Sequence, residues 1–316
     1  MRVVALCGGV GGAKLADGLQ QILGADLTLI INTGDDFEHR GLPVWPDVDT
    51  VLYTLAGIAN STQGWGRAAE SWEVQREWQR LGIDTWFQLG DKDIALHLLR
   101  REWQSHGWSA ARVCSELAAL YGVSARLLPM SNAPAPTRIL TSAGELPFQE
   151  YFVKLRCAPA VSGFAYGASA QRGASCEVLA TLEEEGLDGV ILCPSNPYLS
   201  IAPILAVPGL RKRLAELNAP VIGVSPIIAR DALKGPTAKI MRELGIDVSP
   251  LTVALEYRDF LDALLIDTAD VADLPATAHG STLVGDEIVM RNTHDRRRLA
   301  ARCLKLLAEL RTRPLV

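Results

Sequence analysis

Positive charge is in short supply in this chain. Its 316 residues carry 31 Lys and Arg against 36 Asp and Glu, a formal net charge of −5. No broad positive field is available to hold a phosphate backbone, so nucleic acid is not expected as a partner. Long apolar runs are lacking too. The most extended, such as Leu199 to Val207, are short and broken by Pro203, whereas a membrane span needs about 20 consecutive apolar residues. The apolar start, Val3 to Cys7, is too brief for the core of a secretory signal. A cytoplasmic chain with no membrane partner is expected. Cys7, Cys114, Cys157, Cys176, Cys193 and Cys303 include no close pair, which excludes a C-x-x-C redox site or a zinc knuckle and leaves buried free thiols. The five histidines lack the H-E-x-x-H spacing that sets two ligands on one helical face. No nucleophile-elbow sequence accompanies a Ser, His and Asp set, which disfavours acyl transfer.

What is present is a globular composition, 48% hydrophobic and 21% charged, enough to bury a sizeable core and to exclude global disorder. Residues 2 to 7 form a continuous β-branched and apolar run. Glycines follow, then Leu15, Ala16, Leu19, Ile22 and Leu23 at helical spacing, then a second apolar run from Leu27 to Ile31. Strand, Gly-rich turn, helix, strand is a βαβ unit, whose fully buried parallel strands read as unbroken apolar runs. Between about 47 and 122 the pattern turns helical, and all seven tryptophans lie between Trp45 and Trp108. They would serve as an aromatic wall for a flat ligand, as the core of a helical subdomain, or as a subunit contact. Residues 126 to 152 read as strands joined by turns, with a hairpin at Ser142 to Glu145. Gly189–Cys193 and Pro220–Val224 then read as buried strands, each running into a polar, Pro-rich loop where ligands of open α/β sheets bind. Residues 294 to 311 form the last helix, whose Arg296-Arg297-Arg298 reads as a solvated face or an anion site. The chain is thus expected to be a single α/β domain over 1–316. Its Rossmann-like, mostly parallel sheet is flanked by helices and carries a helical, Trp-rich insertion at about 47–122.

Several segments could carry chemistry. Gly8-Gly9-Val10-Gly11-Gly12-Ala13-Lys14 sits between the first strand and helix, where backbone N–H groups and the helix dipole favour an anion; the same glycines would also make a tight structural turn. The Walker A pattern fails because Ala13 separates Gly12 from Lys14. The dinucleotide G-x-G-x-x-G pattern fails because its third glycine falls at Lys14, which argues against an NAD-dependent oxidoreductase. Asn32-Thr33-Gly34-Asp35-Asp36 follows the second strand and would hold a ribose, a polyol or a metal, or form a solvated turn. In Pro46-Asp47-Val48-Asp49-Thr50 one carboxylate would serve as a helix N-cap. Two beside an anion loop repel an anionic ligand unless a cation lies between, which suggests Mg²⁺. Asp91 is an N-cap candidate. Lys92 beside it opposes the helix dipole at a cost of roughly 0.3–1 kcal/mol, so it meets a ligand phosphate or an Asp, or else it is solvated. Ser195, Asn196 and Ser200 lie in a loop stiffened by Pro194, Pro197 and Pro203, and Ser225 to Lys239 repeats the arrangement with Lys234 and Lys239 as cations.

Taken together and in order, these segments resemble the 2-phospho-L-lactate transferase family, CofD with its FbiA relatives, of coenzyme F-420 biosynthesis. The resemblance is carried by GGVGGAKLADGL, NTGDD, WPDVDTVLYTLAG, LGDKDIALHLLR, PMSNAP, PFQEYFV, PSNPYLSIAPIL and VSPIIARDALKGPTAKIM, from residue 8 to about 241. It implies an Mg²⁺-dependent transfer of a phosphorylated three-carbon acid (2-phospho-L-lactyl, phosphoenolpyruvyl or 3-phosphoglyceryl) from a guanosine diphosphate donor. The acceptor would be the ribityl hydroxyl of the deazaflavin Fo, with release of GMP and formation of a phosphodiester. The P-D-x-D-T element puts metal binding and hydroxyl orientation on Asp49, with Asp47 as a second metal ligand, and the G-D-K-D element puts a phosphate or deazaflavin contact on Lys92. Gly9, Gly11, Ser195, Asn196, Ser225 and Lys234 would frame the nucleotide, and Gly8, Asn32, Thr33, Asp35 and Ser200 complete the expected substrate site. A homodimer is implied as well. The alternative is a non-catalytic nucleotide- or sugar-binding regulator resembling the gluconeogenesis-factor proteins, which would not be expected to keep both acidic elements.

Overall fold

A computed structural model describes residues 1–167, 176–232 and 235–312. Strand β1 (Arg2–Cys7), helix α1 (Gly9–Leu23) and β2 (Leu27–Ile31) form the expected βαβ unit, followed by a hairpin of β3 (Phe37–His39) and β4 (Leu42–Val44). Helices α2 (Pro46–Leu55), α3 (Glu73–Arg80), α4 (Asp91–Ser105) and α5 (Ala110–Leu120) make the helical insertion ahead of β5 (Arg126–Pro129). A small antiparallel sheet joins β6 (Arg138–Thr141) to β7 (Gly144–Pro147), turning at Ser142 and Ala143, and to β8 (Val161–Ala165). Glu150–Lys154, within the stretch that reads as strands and turns, instead winds as a π-helical turn.

The second half brings α6 (Cys176–Glu183), β9 (Leu187–Leu192), a π-helical turn at Pro197–Ile201, α7 (Ala202–Leu205), α8 (Leu210–Ala215) and β10 (Val221–Val224). The small pair β11 (Ile227–Ile228) and β12 (Asp231–Ala232), then α9 (Thr237–Glu243) and α10 (Pro250–Glu256), precede β13 (Ala263–Asp267). The chain closes through β14 (Thr277–Ala278), β15 (Ser281–Asp286) and α11 (Thr293–Arg311).

The eight-stranded main sheet runs β14-β15-β13-β10-β9-β1-β2-β5, parallel throughout except for β14. Successive residues of β1 serve opposite faces, as the pleat requires. Val3, Ala5 and Cys7 pack with α1, α2, α5 and α11, while Val4 and Leu6 pack with the helices α6 to α10. A strand buried on both faces needs apolar residues at every position, which is why the run is unbroken. From β1 the chain winds outward through β2 to β5. It then returns to the other side of β1 as β9, and continues outward through β10 and β13. The order therefore reverses between β1 and β9, and the crevice at their carboxyl ends is where such sheets bind ligands.

Two packing details bear on the expectations. Arg296 bonds Asp17 at 3.0 Å and Arg298 bonds Asp286 at 2.9 Å, holding α11 to its neighbours, while Arg297 between them is exposed. Cys7, Cys114, Cys193 and Cys303 are buried free thiols as expected, Cys157 is only half-buried, and the side chain of Cys176 lies outside the described residues.

Helix α11 crosses α1 so closely at Gly18 that an added Cβ would sit 2.2 Å from the backbone oxygen of Arg296. Backbone, unlike the end of a long side chain, has nowhere to go. Gly18→Ala should therefore lower stability by about 1–3 kcal/mol despite its better helix propensity, as overpacking does. Urea unfolding checks this; an unchanged or raised midpoint would refute the close crossing.

Candidate active site

The strand ends at the reversal surround a cavity of about 1030 Å³. Its floor begins with the glycine run, which is not a free loop: α1 already starts at Gly9, and its first turn is drawn against protein on three sides. A Cβ on Gly8 would lie 2.4 Å from Asp47 Oδ2, and one on Gly11 2.4 Å from the Pro194 carbonyl. The Ser195 hydroxyl accepts from the Gly8 N–H at 3.2 Å and donates to the Gly8 carbonyl at 2.9 Å, joining the β1 and β9 loops across the reversal. The glycines thus serve first to let neighbouring loops close in. The N–H groups of Val10 and Gly11, in the first turn of α1, have no acceptor within the helix, and both residues line the cavity.

Asp47 does not cap its own helix. The residue preceding α2 is Trp45, with Pro46 in the first turn. Instead Asp47 Oδ1 accepts from the Gly9 N–H at 2.6 Å, capping α1 from across the crevice, while Oδ2 accepts from Asn32 Nδ2 at 2.9 Å. Burial lifts the Asp47 carboxyl to about 6 in spite of these two bonds. Burial, then the negative charge of Asp47, pushes Asp35 well above its ordinary range, and burial does the same to Asp36. The Oδ1 atoms of Asp35 and Asp36 are buried without a hydrogen-bond partner. A cluster of carboxyl groups at the crevice thus carries less positive charge than it needs.

One cation sits inside the cluster. Arg100, fully buried on α4, bonds both oxygens of Asp49, donates to the Pro43 carbonyl at 3.0 Å, and lies 4.2 Å above the Trp45 ring. Asp49 is therefore committed to a guanidinium, whereas Asp35 and Asp47 have no cation bonded to them among the described residues. Helix α4 also turns Asp93 and His97 inward. Asp93 accepts from the Tyr53 hydroxyl at 2.7 Å and is raised by burial to about 6. His97 approaches Arg100 through Nδ1 at 3.2 Å, and burial depresses it to about 4, so it is neutral at pH 7.

Of the expected site residues, Gly8, Gly9, Gly11, Asp35, Asp47, Asp49, Ser195, Asn196, Ser200 and Ser225 line this one cavity. Asn196 uses its oxygen to cap the Pro197–Ile201 turn, leaving Nδ2 buried and unpartnered, and Ser225 closes the turn after β10. Asn32 and Thr33 stand behind the lining, where Asn32 supports Asp47. Lys92 is a correction: it does not line the cavity, and its ammonium donates to the Ala69 carbonyl at 2.5 Å. The helix start at Asp91 leaves that side chain outward, apart from the other expected site residues. Asp91 in turn accepts from Glu73 and Val74 N–H and caps α3 rather than α4. Lys234 lies outside the described residues.

The lining also contains groups that were not assigned to the expected site. Lys14, Arg156 and Arg291 bring positive charge to the lining. Trp65, Trp86, Phe87, Phe148 and Phe152 give it an aromatic side. The other five tryptophans do not line it: Trp45 lies under Arg100, and Trp103 stacks on Trp108 at 4.8 Å. One signal for Asp93, His97 and Arg100 was available, since spacing of four and then three residues puts them on one helical face with buried Leu96.

The sequence profile of the family described as 2-phospho-L-lactate transferase CofD matches residues 3–307. A phosphoenolpyruvate transferase of Kitasatospora aureofaciens is 42% identical over 279 residues, 85% of this chain and 86% of that protein. One from Streptomyces griseus is 37% identical, covering 98% of this chain and 100% of its own length. A third, from Mycobacterium tuberculosis, is 35% identical over 87% of this chain and 90% of that one. Among solved structures, a UPF0052-family protein of Bacillus halodurans superposes with a TM-score of 0.61 at 17% identity, over 96% of this chain and 98% of that chain. This likeness speaks for the fold alone.

Two outcomes follow from the buried charges. Arg100→Met should cost about 3–5 kcal/mol because it strands Asp49 unpaired, and adding Asp49→Leu should recover most of the loss; equal destabilisation in single and double variants would deny the pairing. Between about pH 4 and 6 the folded chain keeps a proton on Asp93 that the unfolded chain has lost, so stability falls as pH rises through that window, by on the order of 3 kcal/mol. Asp93→Asn should remove this share of the slope and leave that of Asp47. Urea midpoints for wild type and variant that run parallel from pH 4 to 7 would show that Asp93 does not titrate there.

Proposed function

Because the chain belongs to the 2-phospho-L-lactate transferase CofD family and is a transferase, we propose that it moves a phosphoenolpyruvyl group from a guanosine diphosphate donor to the ribityl hydroxyl of the deazaflavin Fo, releasing GMP. The choice among the three donors rests on the near full-length relatives, each named a phosphoenolpyruvate transferase. The observation that carries the reading is the carboxylate cluster beside the first turn of α1. A diphosphate drawn to the Val10 and Gly11 N–H groups would face Asp35, Asp47 and Asp49, a repulsion that a cation among them would relieve.

The residues fit Mg²⁺. Asp35 Oδ1 is buried without a partner, and burial, then the charge of Asp47, raises its carboxyl, a donor set that suits an ion which keeps several waters and takes one or two carboxylates plus substrate phosphates. Asp47 would hold it with Asp35, whose Oδ1 has no partner, while the commitment of Asp49 to Arg100 leaves that residue to orient the hydroxyl. Mg²⁺ would supply neutralisation of phosphate charge.

Every other contribution comes from the chain. The acceptor oxygen bonds to the phosphorus carrying the enolpyruvyl group, the bond from that phosphorus to the oxygen of GMP breaks, and the acceptor proton passes to Asp49. Such a displacement needs positioning and charge compensation rather than a covalent nucleophile. Lys14, Arg156 and Arg291 complement the donor's phosphates and carboxylate, and the Trp65, Trp86, Phe148 and Phe152 side suits a flat tricyclic ring. Among the described residues no helix is long and apolar enough to cross a membrane; the cytoplasm and a homodimer are proposed on the family resemblance alone.

Mass spectrometry of the chain with Fo, Mg²⁺ and each of the three guanosine diphosphate donors in turn should yield GMP and a phosphodiester with the phosphoenolpyruvyl donor. Product from another donor alone would reassign the substrate; binding of GDP without product from any would return the regulator reading. Asp49→Asn should lower turnover by at least about 10²-fold with GDP binding kept. Wild-type turnover in that variant would remove Asp49 from the chemistry.

A further inference from the structure

The face of α4 that carries Asp93, His97 and Arg100 has a consequence for hydrogen polarity in the cavity. Arg100 is a donor at every nitrogen and an acceptor at none. Its Nη1 stands 3.2 Å from His97 Nδ1, so that nitrogen must present a lone pair, and in a neutral imidazole the single hydrogen is then on Nε2. Arg100 has no freedom to turn away. It is fully buried, it bonds both oxygens of Asp49 and the Pro43 carbonyl, and it is stacked on Trp45. The tautomer of His97 is thus fixed by an ion pair that its own ring does not join, since His97 Nδ1 and Asp49 Oδ2 are 3.9 Å apart.

His97 is 2% exposed and lines the cavity. Its Nε2 has no partner among the described residues, yet it is not among the enclosed polar atoms that lack one, as His39 Nε2 is. The cavity is therefore what that edge meets. A neutral N–H donor here shares the cavity lining with Asp49, Asp93 and Tyr53, with the Asp49 carboxylate 3.9 Å from the Nδ1 edge of the ring. An anionic oxygen would be repelled by the carboxylates. A hydroxyl fits, since its lone pair accepts from His97 while its hydrogen is given to a carboxylate.

Building on the proposed transferase reading, we infer that His97 orients the attacking hydroxyl: its Nε2–H holds the acceptor oxygen by one lone pair and turns the hydroxyl hydrogen to Asp49. In the reaction the oxygen–phosphorus bond forms, the bond to GMP breaks and the hydroxyl proton goes to Asp49. His97 keeps its own hydrogen throughout, acting as a positioning donor rather than as an acid or base.

Two measurements test this. In ¹⁵N spectra of the full chain labelled at its histidines, with His97 assigned through His97→Gln, Nε2 should be protonated and Nδ1 bare at neutral pH, and Arg100→Met should abolish that preference. A protonated Nδ1 in the wild type would overturn the inference. In steady-state assays His97→Leu should lower kcat/KM for the deazaflavin by about 10²-fold, as misplacement of a reacting group does. His97→Gln, whose amide nitrogen reaches the place of Nε2, should return to within about tenfold of wild type, and GDP affinity by calorimetry should hold in both. Full activity in His97→Leu, or His97→Gln as poor as His97→Leu, would overturn the role. Wild-type chain that shows the expected tautomer but turns over no donor would overturn the transferase reading, and with it the hydroxyl as the partner of His97.

Discussion

The buried pair between Arg100 and Asp49 is the contact on which the active-site arrangement turns. A carboxyl cluster drawn together at the sheet reversal is costly, because each group loses water and gains like-charged neighbours. One guanidinium, held flat on Trp45 and bonded to both oxygens of Asp49, offsets part of that cost and fixes the direction in which Asp49 points. The remainder is left on Asp35, Asp36 and Asp47, which are driven toward protonation. A site built this way is short of positive charge in one place and is prepared to take it from a ligand.

The fold concentrates this shortage beside the first turn of α1, where a helix N-terminus favours an anion. The order of strands reverses between β1 and β9, so the loops after both open on one crevice, and the Ser195 hydroxyl ties them at Gly8. Asp47 caps α1 from the far wall, so the carboxylate cluster and the helix N-terminus cannot shift independently. Aromatic residues of the insertion and of the segment after β7 line the same cavity.

Much of this was legible beforehand because it is local. The βαβ start, the hairpin at Ser142, the strands at 189 and 220 and the final helix each follow from periodicity or turn chemistry within a dozen residues, and β9, β10 and α11 stand where they were expected. The order of the motifs along the chain carried the family, which the profile match over residues 3–307 bears out. Capping was less legible: Asp47 and Asp91 look like caps of the helices they begin, but each caps another helix, because their partners arrive from elsewhere in the chain. The tryptophans divide between cavity and packing for the same reason.

Sequence by itself determined the fold class, the family and the segments that meet at the strand ends, since parallel strands buried on both faces and glycine-bounded turns write themselves into short stretches of residues. Tertiary structure alone decided which charges face one another. It paired Asp49 with Arg100, set Lys92 against the Ala69 carbonyl and fixed the hydrogen of His97. The first two depend on distances of a few ångströms between residues 51 and 23 positions apart, and a Coulomb or hydrogen-bond energy is set by that separation in space, which no local pattern encodes. The third is local to α4 but rests on the first, since Asp49 holds Arg100 in place.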